Sequence, residues 1–247
     1  MAKRSLRWSE GVCVLEGPDL IDAAFNAGVE FEGVFVAKDS VSRFAELTQR
    51  LEDGGVRVFS LEEGVIEKVA DAATPQPIIA AVRMPLSGLS NIEPEGTLIV
   101  LHEVRDPGNV GTIIRSADAS GATAVILTGH SVDPFNPKTL RATAGSVFHV
   151  PVVLHESLEE VLNWFHASGG ESFATVVRDG ESLDSVSLPS NHLFVLGNEA
   201  EGLSDDAVAL ATHGVTIPMS GRAESLNVSV AAALTLFAGQ RSRHSSR

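Results

Sequence analysis

Five polar residues in three separated segments have the types and spacing to handle an anion or a polarised hydroxyl. They are Asn109 and Arg115 in DPGNVGTIIRSADASGA, Glu199 in LGNEAEGLS, and Ser225 and Asn227 in IPMSGRAESLNVSVAAA. The loop RDPGNVG joins an apolar strand to a helix, so Asn109 stands near a helix N-terminus, where free N–H groups and the helix dipole favour a phosphate. Arg115 lies further along that helix, with a planar fork suited to phosphate or carboxylate. The plainer alternative is that Asn109 caps the helix and Arg115 pairs with Asp118 at i, i+3. Glu199 follows the strand HLFVLG, together with Leu196, Gly197 and Asn198, at the strand end where parallel α/β sheets bind ligands. Gly197 permits close backbone approach, whereas a solvated loop position is the commoner fate of a glutamate such as Glu199. Ser225 and Asn227 flank Leu226 at the start of the last helix, where Ser225 is the expected cap and Asn227 is left to face a substrate.

Alternating apolar runs and amphipathic segments must position these groups. From Val12 the order is VCVLEG, PDLIDAAFNAG, VEFEGVFVA, a polar helix-like stretch to Gly54, then VRVFS, which predicts a small α/β sandwich. Gly28 is the C′ residue closing its first helix, and Ser60 with Glu63 forms a capping box opening a short helix. PLSGLSNIEPEG, rich in Pro, Ser and Gly, reads as a linker, which divides the chain into residues 1–90 and 91–247. Beyond it, TLIVL, a helix from about Val110 to Ser120 stopped by Gly121, and AVIL form a βαβ unit, hence a parallel sheet. VPVVL, FATVV, HLFVLG and GVTIPM supply further strands, and Ser157 with Glu160 caps the helix holding Trp164 and Phe165. The last helix is apolar almost all round from Val228 to Phe237 and requires cover on more than one side. The polar tail RSRHSSR is expected to fray.

Composition narrows the chemistry. The lone Cys13 sits in an apolar run and reads as a buried strand residue, and eight histidines show no metal-ligand spacing, so no metal is expected. Neither a P-loop nor a dinucleotide fingerprint is present. The pairs Glu62-Glu63, Glu159-Glu160 and Asp205-Asp206 read as solvated surface. No apolar stretch is long enough to span a bilayer. The net charge of −14 opposes a polyanionic partner globally, yet local potential decides docking. The available cations are Lys3, Arg4 and Arg7 at the start, Arg105, Arg115, Arg141 and Arg222 near the motifs, and Arg241, Arg243 and Arg247 in the tail.

Together the three segments resemble motifs 1, 2 and 3 of the SpoU (TrmH) class of RNA ribose 2′-O-methyltransferases, in the SPOUT superfamily. The resemblance implies an α/β catalytic domain with a parallel sheet and a deep trefoil knot. It implies methyl transfer from S-adenosylmethionine to a ribose 2′-hydroxyl of structured RNA by a homodimer joined through the C-terminal domain, in the cytoplasm. Asn109, Arg115, Glu199, Ser225 and Asn227 then match the catalytic motif positions. Gly197, Ile217 and Leu226 hold the cofactor by main chain, beside Leu196, Asn198 and Met219. In DPFNPKTLRATAGSVFHVPV, Asn136, Lys138 and Arg141 line the RNA entrance, joined by Arg105 and Arg222, while Thr143 and Gly145 lie nearer the cofactor. The first ninety residues resemble the small ribosomal L30-like substrate-binding domain of this class, through Glu16-Gly17 and Pro75-Gln76, and favour ribosomal RNA over tRNA. The rival readings are a non-catalytic RNA- or ribosome-binding protein of the same fold and a small-molecule methyltransferase.

Overall fold

In the computed structural model, which describes residues 4–69 and 75–245, the backbone groups into two compact units. One comprises the chain up to Pro85 with Asp133–His149; the other comprises Leu86–Val132 and the chain from Val150.

The first unit orders α1 (Arg4–Glu10), β1 (Val12–Glu16), α2 (Pro18–Asn26), β2 (Phe31–Ala37), a 3-10 segment Lys38–Phe44, α3 (Ala45–Asp53), β3 (Val58–Leu61), α4 (Val65–Val69) and β4 (Ile78–Arg83). Its sheet runs β1-β4-β2-β3, with β4 antiparallel to both neighbours and β2 parallel to β3. Val34, Val36, Ile78, Ala80 and Val82 alternate inward, the period of two expected of a sheet with one face in the core. Gly28, at φ 73°, follows the α2 cap residue Ala27 as expected. The capping box at Ser60 does not form. Ser60 is paired with Val36 in β3, and α4 begins only at Val65, because parallel pairing with β2 extends the strand through Leu61. Lys3 and Arg247 lie outside the described residues.

Asp133–His149 joins this unit through a buried ion pair. Arg7 donates from Nη2 to Asp133 Oδ2 at 2.6 Å, both side chains being almost wholly enclosed, and Trp8 Nε1 reaches the same oxygen at 3.3 Å. Asp133 Oδ1 accepts from the Phe135 N–H at 2.9 Å, so each carboxylate oxygen is engaged. Cys13 is fully buried nearby, where burial and then the Asp133 charge push its thiol up to about 12, leaving it protonated and inert as a nucleophile.

The second unit continues with β5 (Leu86–Ser87), β6 (Thr97–His102), α5 (Pro107–Ser120), β7 (Ala124–Thr128), β8 (Val152–His155), α7 (Leu158–Ala167), β9 (Glu171–Thr175), β10 (Glu181–Ser182), β11 (His192–Leu196), α8 (Asp205–Ala209), β12 (His213–Thr216) and α9 (Val228–Ser245); the intervening α6 (Pro137–Thr143) belongs to the first unit. Its eight strands are all parallel, ordered β10-β12-β9-β11-β6-β7-β8-β5. The predicted linker is therefore structured in part, since Leu86 and Ser87 pair with Val152 and Val153 at the sheet edge. β7 and β11 are buried at every residue and β6 at all but His102, the near-continuous apolar runs that helix-covered parallel strands require. Val161, Leu162 and Phe165 of α7 pack on Leu98, Val100, Ile126, Leu193 and Val195. Ser157 accepts from the Glu160 N–H, but Glu160 turns to His155 instead of closing the box, and the Ser157 N–H is taken by His155 Nδ1.

The tail does not fray up to Ser245: α9 continues, and Arg243 donates to the carbonyls of Ser120 and Gly121 at the end of α5, where a cation meets the negative helix terminus. Gly239 lets α9 lie close against β6 and β11, because a Cβ there would strike the buried His192 ring and Thr97. Among the described residues no helix is long and apolar enough to cross a membrane.

Candidate active site

The loops after β6, β11 and β12 meet at the C-terminal ends of the strands, the end that parallel sheets reserve for ligands. At α5 the residue that caps the helix is Asp106, not Asn109: Asp106 Oδ1 accepts the Asn109 N–H at 2.9 Å. A second carboxylate joins it. Glu199 Oε1 accepts the Asp106 N–H at 2.9 Å and the Asn109 side-chain amide at 3.1 Å, and Oε2 accepts the Arg105 N–H at 3.2 Å. The anion favoured by this helix terminus is thus supplied by the protein itself, and a phosphate docked at Asn109 would meet two carboxylates. Partial burial pushes the Glu199 carboxyl up, but the Asp106 N–H, the Asn109 amide and further backbone N–H groups outweigh it and hold it below the usual carboxylate range. Glu199 is therefore an ionised clasp, with its oxygens engaged as acceptors, and is unsuited to receive a proton at neutral pH.

The clasp orients Asn109 for a third segment. With its amide held by Glu199, Asn109 presents Oδ1 to the Asn227 amide at 3.1 Å. Asn227 is also the residue that caps α9, its Oδ1 accepting from the Ser229 N–H at 2.8 Å and from the Ser229 hydroxyl at 2.6 Å. Ser225, the cap expected from sequence, lies two residues earlier on an exposed loop and lines the pocket described below. One asparagine serves both roles because its carbonyl faces its own helix and its NH2 faces α5.

Beside this network is a pocket lined by Leu196, Gly197, Asn198, Glu199, Ile217, Met219, Ser225 and Leu226, all eight of them named from sequence as candidates for this site. Sequence reasoning missed Thr175, Val176 and Val177 at the end of β9, Ala200, Glu201 and Gly202 in the loop after β11, and Val228 and Ala231 at the start of α9. The signal available for the first three was that FATVV is another parallel strand whose C-terminal end must open on the same side. The lining includes neither Thr143 nor Gly145, which lie in the first unit. Apolar Val176, Val177, Ile217 and Leu226 suit a flat heteroaromatic ring, and the carboxylates of Glu199 and Glu201 suit a cationic centre, so the residues fit S-adenosylmethionine. A buried Thr175 hydroxyl with no hydrogen-bond partner among the described residues points the same way. Among the described residues no cluster is placed to hold a metal ion.

Gly197 owes its identity to loop closure rather than to ligand approach alone. A Cβ on Gly197 would collide with the Gly202 carbonyl and the Leu203 nitrogen, where Asn198 and Gly202 exchange backbone hydrogen bonds. Asn198 fixes the same loop, donating to the Glu103 carbonyl at 3.0 Å and accepting the Ala200 N–H at 2.8 Å. Gly197→Ala is expected to weaken cofactor binding at least about tenfold, because the neighbours that must yield are backbone atoms. Gly202→Ala, whose Cβ meets nothing within 4 Å, should show only the strain of its φ of 70°. Equal affinities in equilibrium dialysis for Gly197→Ala and wild type would refute this account.

The candidate cations fall in both units. Arg105 pairs with Glu103 at 3.2 Å, and Arg141 pairs with Glu16 at 3.3 Å within the first unit. Asn136 caps α6 through the Lys138 N–H at 2.9 Å, also in that unit. Arg115 and Arg222 are exposed, and among the described residues no hydrogen bond or ion pair engages either, so the plainer alternative for Arg115, a pairing with Asp118, is not taken up.

Residues 96–237 match the sequence model of the SpoU rRNA Methylase family, and residues 1–80 match that of the MRM3-like substrate binding domain. The chain is 32% identical over 224 residues to the 23S rRNA (guanosine(2553)-2′-O)-methyltransferase RlmP of Bacillus subtilis, covering 91% of this chain and 86% of that protein. Among solved structures it is similar to the AdoMet-bound rRNA methyltransferase of Sinorhizobium meliloti, at 31% identity and a TM-score of 0.85 over 97% of this chain and 91% of that one. It is also similar to the SpoU methyltransferase AviRb of Streptomyces viridochromogenes in complex with AdoMet, at 28% identity and a TM-score of 0.86 over 98% and 95%.

Proposed function

The chain belongs to the SpoU rRNA methylase family, and from that premise we propose that it is an S-adenosylmethionine-dependent methyltransferase acting on a ribose 2′-hydroxyl of large-subunit ribosomal RNA. The observation that carries this reading is the hydrogen-bonded line Glu199–Asn109–Asn227 at the rim of a pocket that fits the cofactor. The bound cofactor supplies an electrophilic methyl on a sulfonium. The protein must hold the attacking hydroxyl in line with it and lower the cost of losing its proton. Arg115, exposed and uncommitted among the described residues, is the group for the adjacent RNA phosphate and the hydroxyl. Its guanidinium stays charged, so it stabilises developing negative charge and does not accept the proton. Ser225 faces the pocket, and Asn109 and Asn227 arrive prepositioned by Glu199 and by the α9 cap.

In this proposal residues 1–90 form the substrate-binding domain and residues 91–247 the methyltransferase domain, whose C-terminal segment threads a trefoil knot. Asn136, Lys138, Arg141, Arg105 and Arg222 meet RNA, and the protein works in the cytoplasm. The α9 face is the homodimer surface: Val230, Leu234 and Phe237 are 47%, 42% and 36% exposed, and they border a groove with Thr112 and Ser116 of α5. Leu234→Glu is expected to convert a dimer to monomer at micromolar concentration, because burying an unpaired carboxylate costs several kcal/mol. A wild type already monomeric by light scattering would sink that assignment.

The test of function is transfer of labelled methyl from S-adenosylmethionine to unmodified ribosomal RNA and tRNA. Label at one alkali-resistant position in large-subunit RNA supports the reading. Cofactor binding with no transfer to either RNA would overturn the proposed substrate, and no cofactor binding would overturn the enzyme.

A further inference from the structure

Thr175 is the last residue of β9, in register with Val215 of β12, and its Oγ1 is buried in the protein with no hydrogen-bond partner among the described residues. The adjacent backbone is satisfied, since the Val176 N–H donates to the Val215 carbonyl, so the orphan is the hydroxyl alone. Buried hydroxyls are nearly always paired, and an unpaired one is a standing cost to the folded state. Thr175 also lines the pocket, flanked by Val176 and Val177 and facing the Gly197–Gly202 loop and Leu226. A hydroxyl at that position is placed for an occupant of the pocket to complete.

The strand order says which half of the occupant. The loop carrying Asp106 and Asn109 follows β6, the Gly197–Glu199 loop follows β11, and Thr175 ends β9, the next strand over. Neighbouring strands lie about 4.8 Å apart, so Thr175 stands roughly 10 Å across the pocket from the β6 side. Arg115 and Asn109, the α5 residues assigned to the reacting hydroxyl, stand on the β6 side, which leaves the adenosine half of the cofactor to the β9 side. We infer that the Thr175 hydroxyl hydrogen-bonds a polar atom of the adenosine half of S-adenosylmethionine and is a binding determinant for it. This rests on the cofactor reading above.

The experiment uses the full chain as wild type, Thr175→Val and Thr175→Ser, with S-adenosylhomocysteine and 5′-methylthioadenosine as unreactive probes. Val keeps the shape and the strand preference while deleting the hydroxyl. Without ligand, Thr175→Val is expected to melt at the wild-type temperature or above, since it removes an unpaired polar group. Calorimetry should nevertheless show both probes binding it about two- to tenfold more weakly, with Ser restoring wild-type affinity. A merely structural threonine would give the reverse pattern, a lower melting temperature with unchanged affinity, and would overturn the inference. Weakening confined to S-adenosylhomocysteine would overturn the assignment to the adenosine half. A wild type that binds neither probe would overturn the cofactor reading itself and this inference with it, whereas wild-type affinity in Thr175→Val overturns the inference alone.

Discussion

Arg115→Ala is expected to lower kcat for RNA methylation by about 10²–10³-fold, the effect of deleting one preorganised electrostatic group at a transition state. Melting temperature and cofactor affinity should not change. The side chain is exposed on α5, makes no hydrogen bond or ion pair among the described residues, and is absent from the pocket lining. Arg115→Lys should recover only part of the rate, because a point charge replaces the two-pronged contact that a phosphate and a neighbouring hydroxyl would share. Single-turnover transfer with saturating cofactor separates this from a binding defect. An Arg115→Ala enzyme with wild-type kcat and only a raised KM for RNA would show the arginine to be a docking group without a part in the chemical step.

Glu199→Gln should be nearly as damaging for a different reason. The carboxylate serves two main-chain N–H groups and the Asn109 amide at once. A glutamine offers one oxygen and turns an NH2 toward donors, so the loop before α5 loses its clasp and Asn109 loses its orientation toward Asn227. Misplacement on the scale of 1 Å is sufficient for about a 10²-fold loss in kcat/KM. The pH dependence has a definite sign. Because the folded-state pKa of Glu199 is depressed, its contribution is fully present above the unfolded carboxyl value of about 4.3 and is lost as pH falls through the lower folded value. The difference in stability between wild type and Glu199→Gln should therefore be flat from pH 6 to 8 and narrow only in acid. A difference that varies between pH 6 and 8 would mean a raised pKa and would return Glu199 to candidacy as the general base.

Both residues are legible in the amino-acid sequence, but their division of labour is not. The types Asn, Arg, Glu, Ser and Asn at the ends of apolar runs identify the groups that meet, and Gly121 marks the end of α5 in its left-handed conformation, at φ 66°. Local reading assigns the helix cap to the wrong residue twice, to Asn109 where Asp106 holds it and to Ser225 where Asn227 does. Several cap-competent side chains stand within three residues at each helix start, and the rotamer that wins is set by what lies across the site. The place of Thr175 at a strand end is legible from FATVV, but its role is not, because a threonine there is unremarkable until its hydroxyl is found without a partner among the described residues. Ser60 and the tail depart from expectation for a related reason: pairing with β2 and the contact of Arg243 with the end of α5 override local preference.

Local structure is therefore what can be read from the residues alone. The order of strands and helices, the buried strands of the parallel sheet and most helix ends follow from apolar periodicity and from Gly and Pro, which act over a few residues. Every partnership of the site, by contrast, arises in the folded chain. Glu199 reaches Asp106 across 93 positions of sequence and Asn227 reaches Asn109 across 118, through a strand order in which β11 inserts between β9 and β6. A hydrogen bond is specified by distance and angle to within tenths of an ångström, and no periodicity in one segment encodes where another will come to lie.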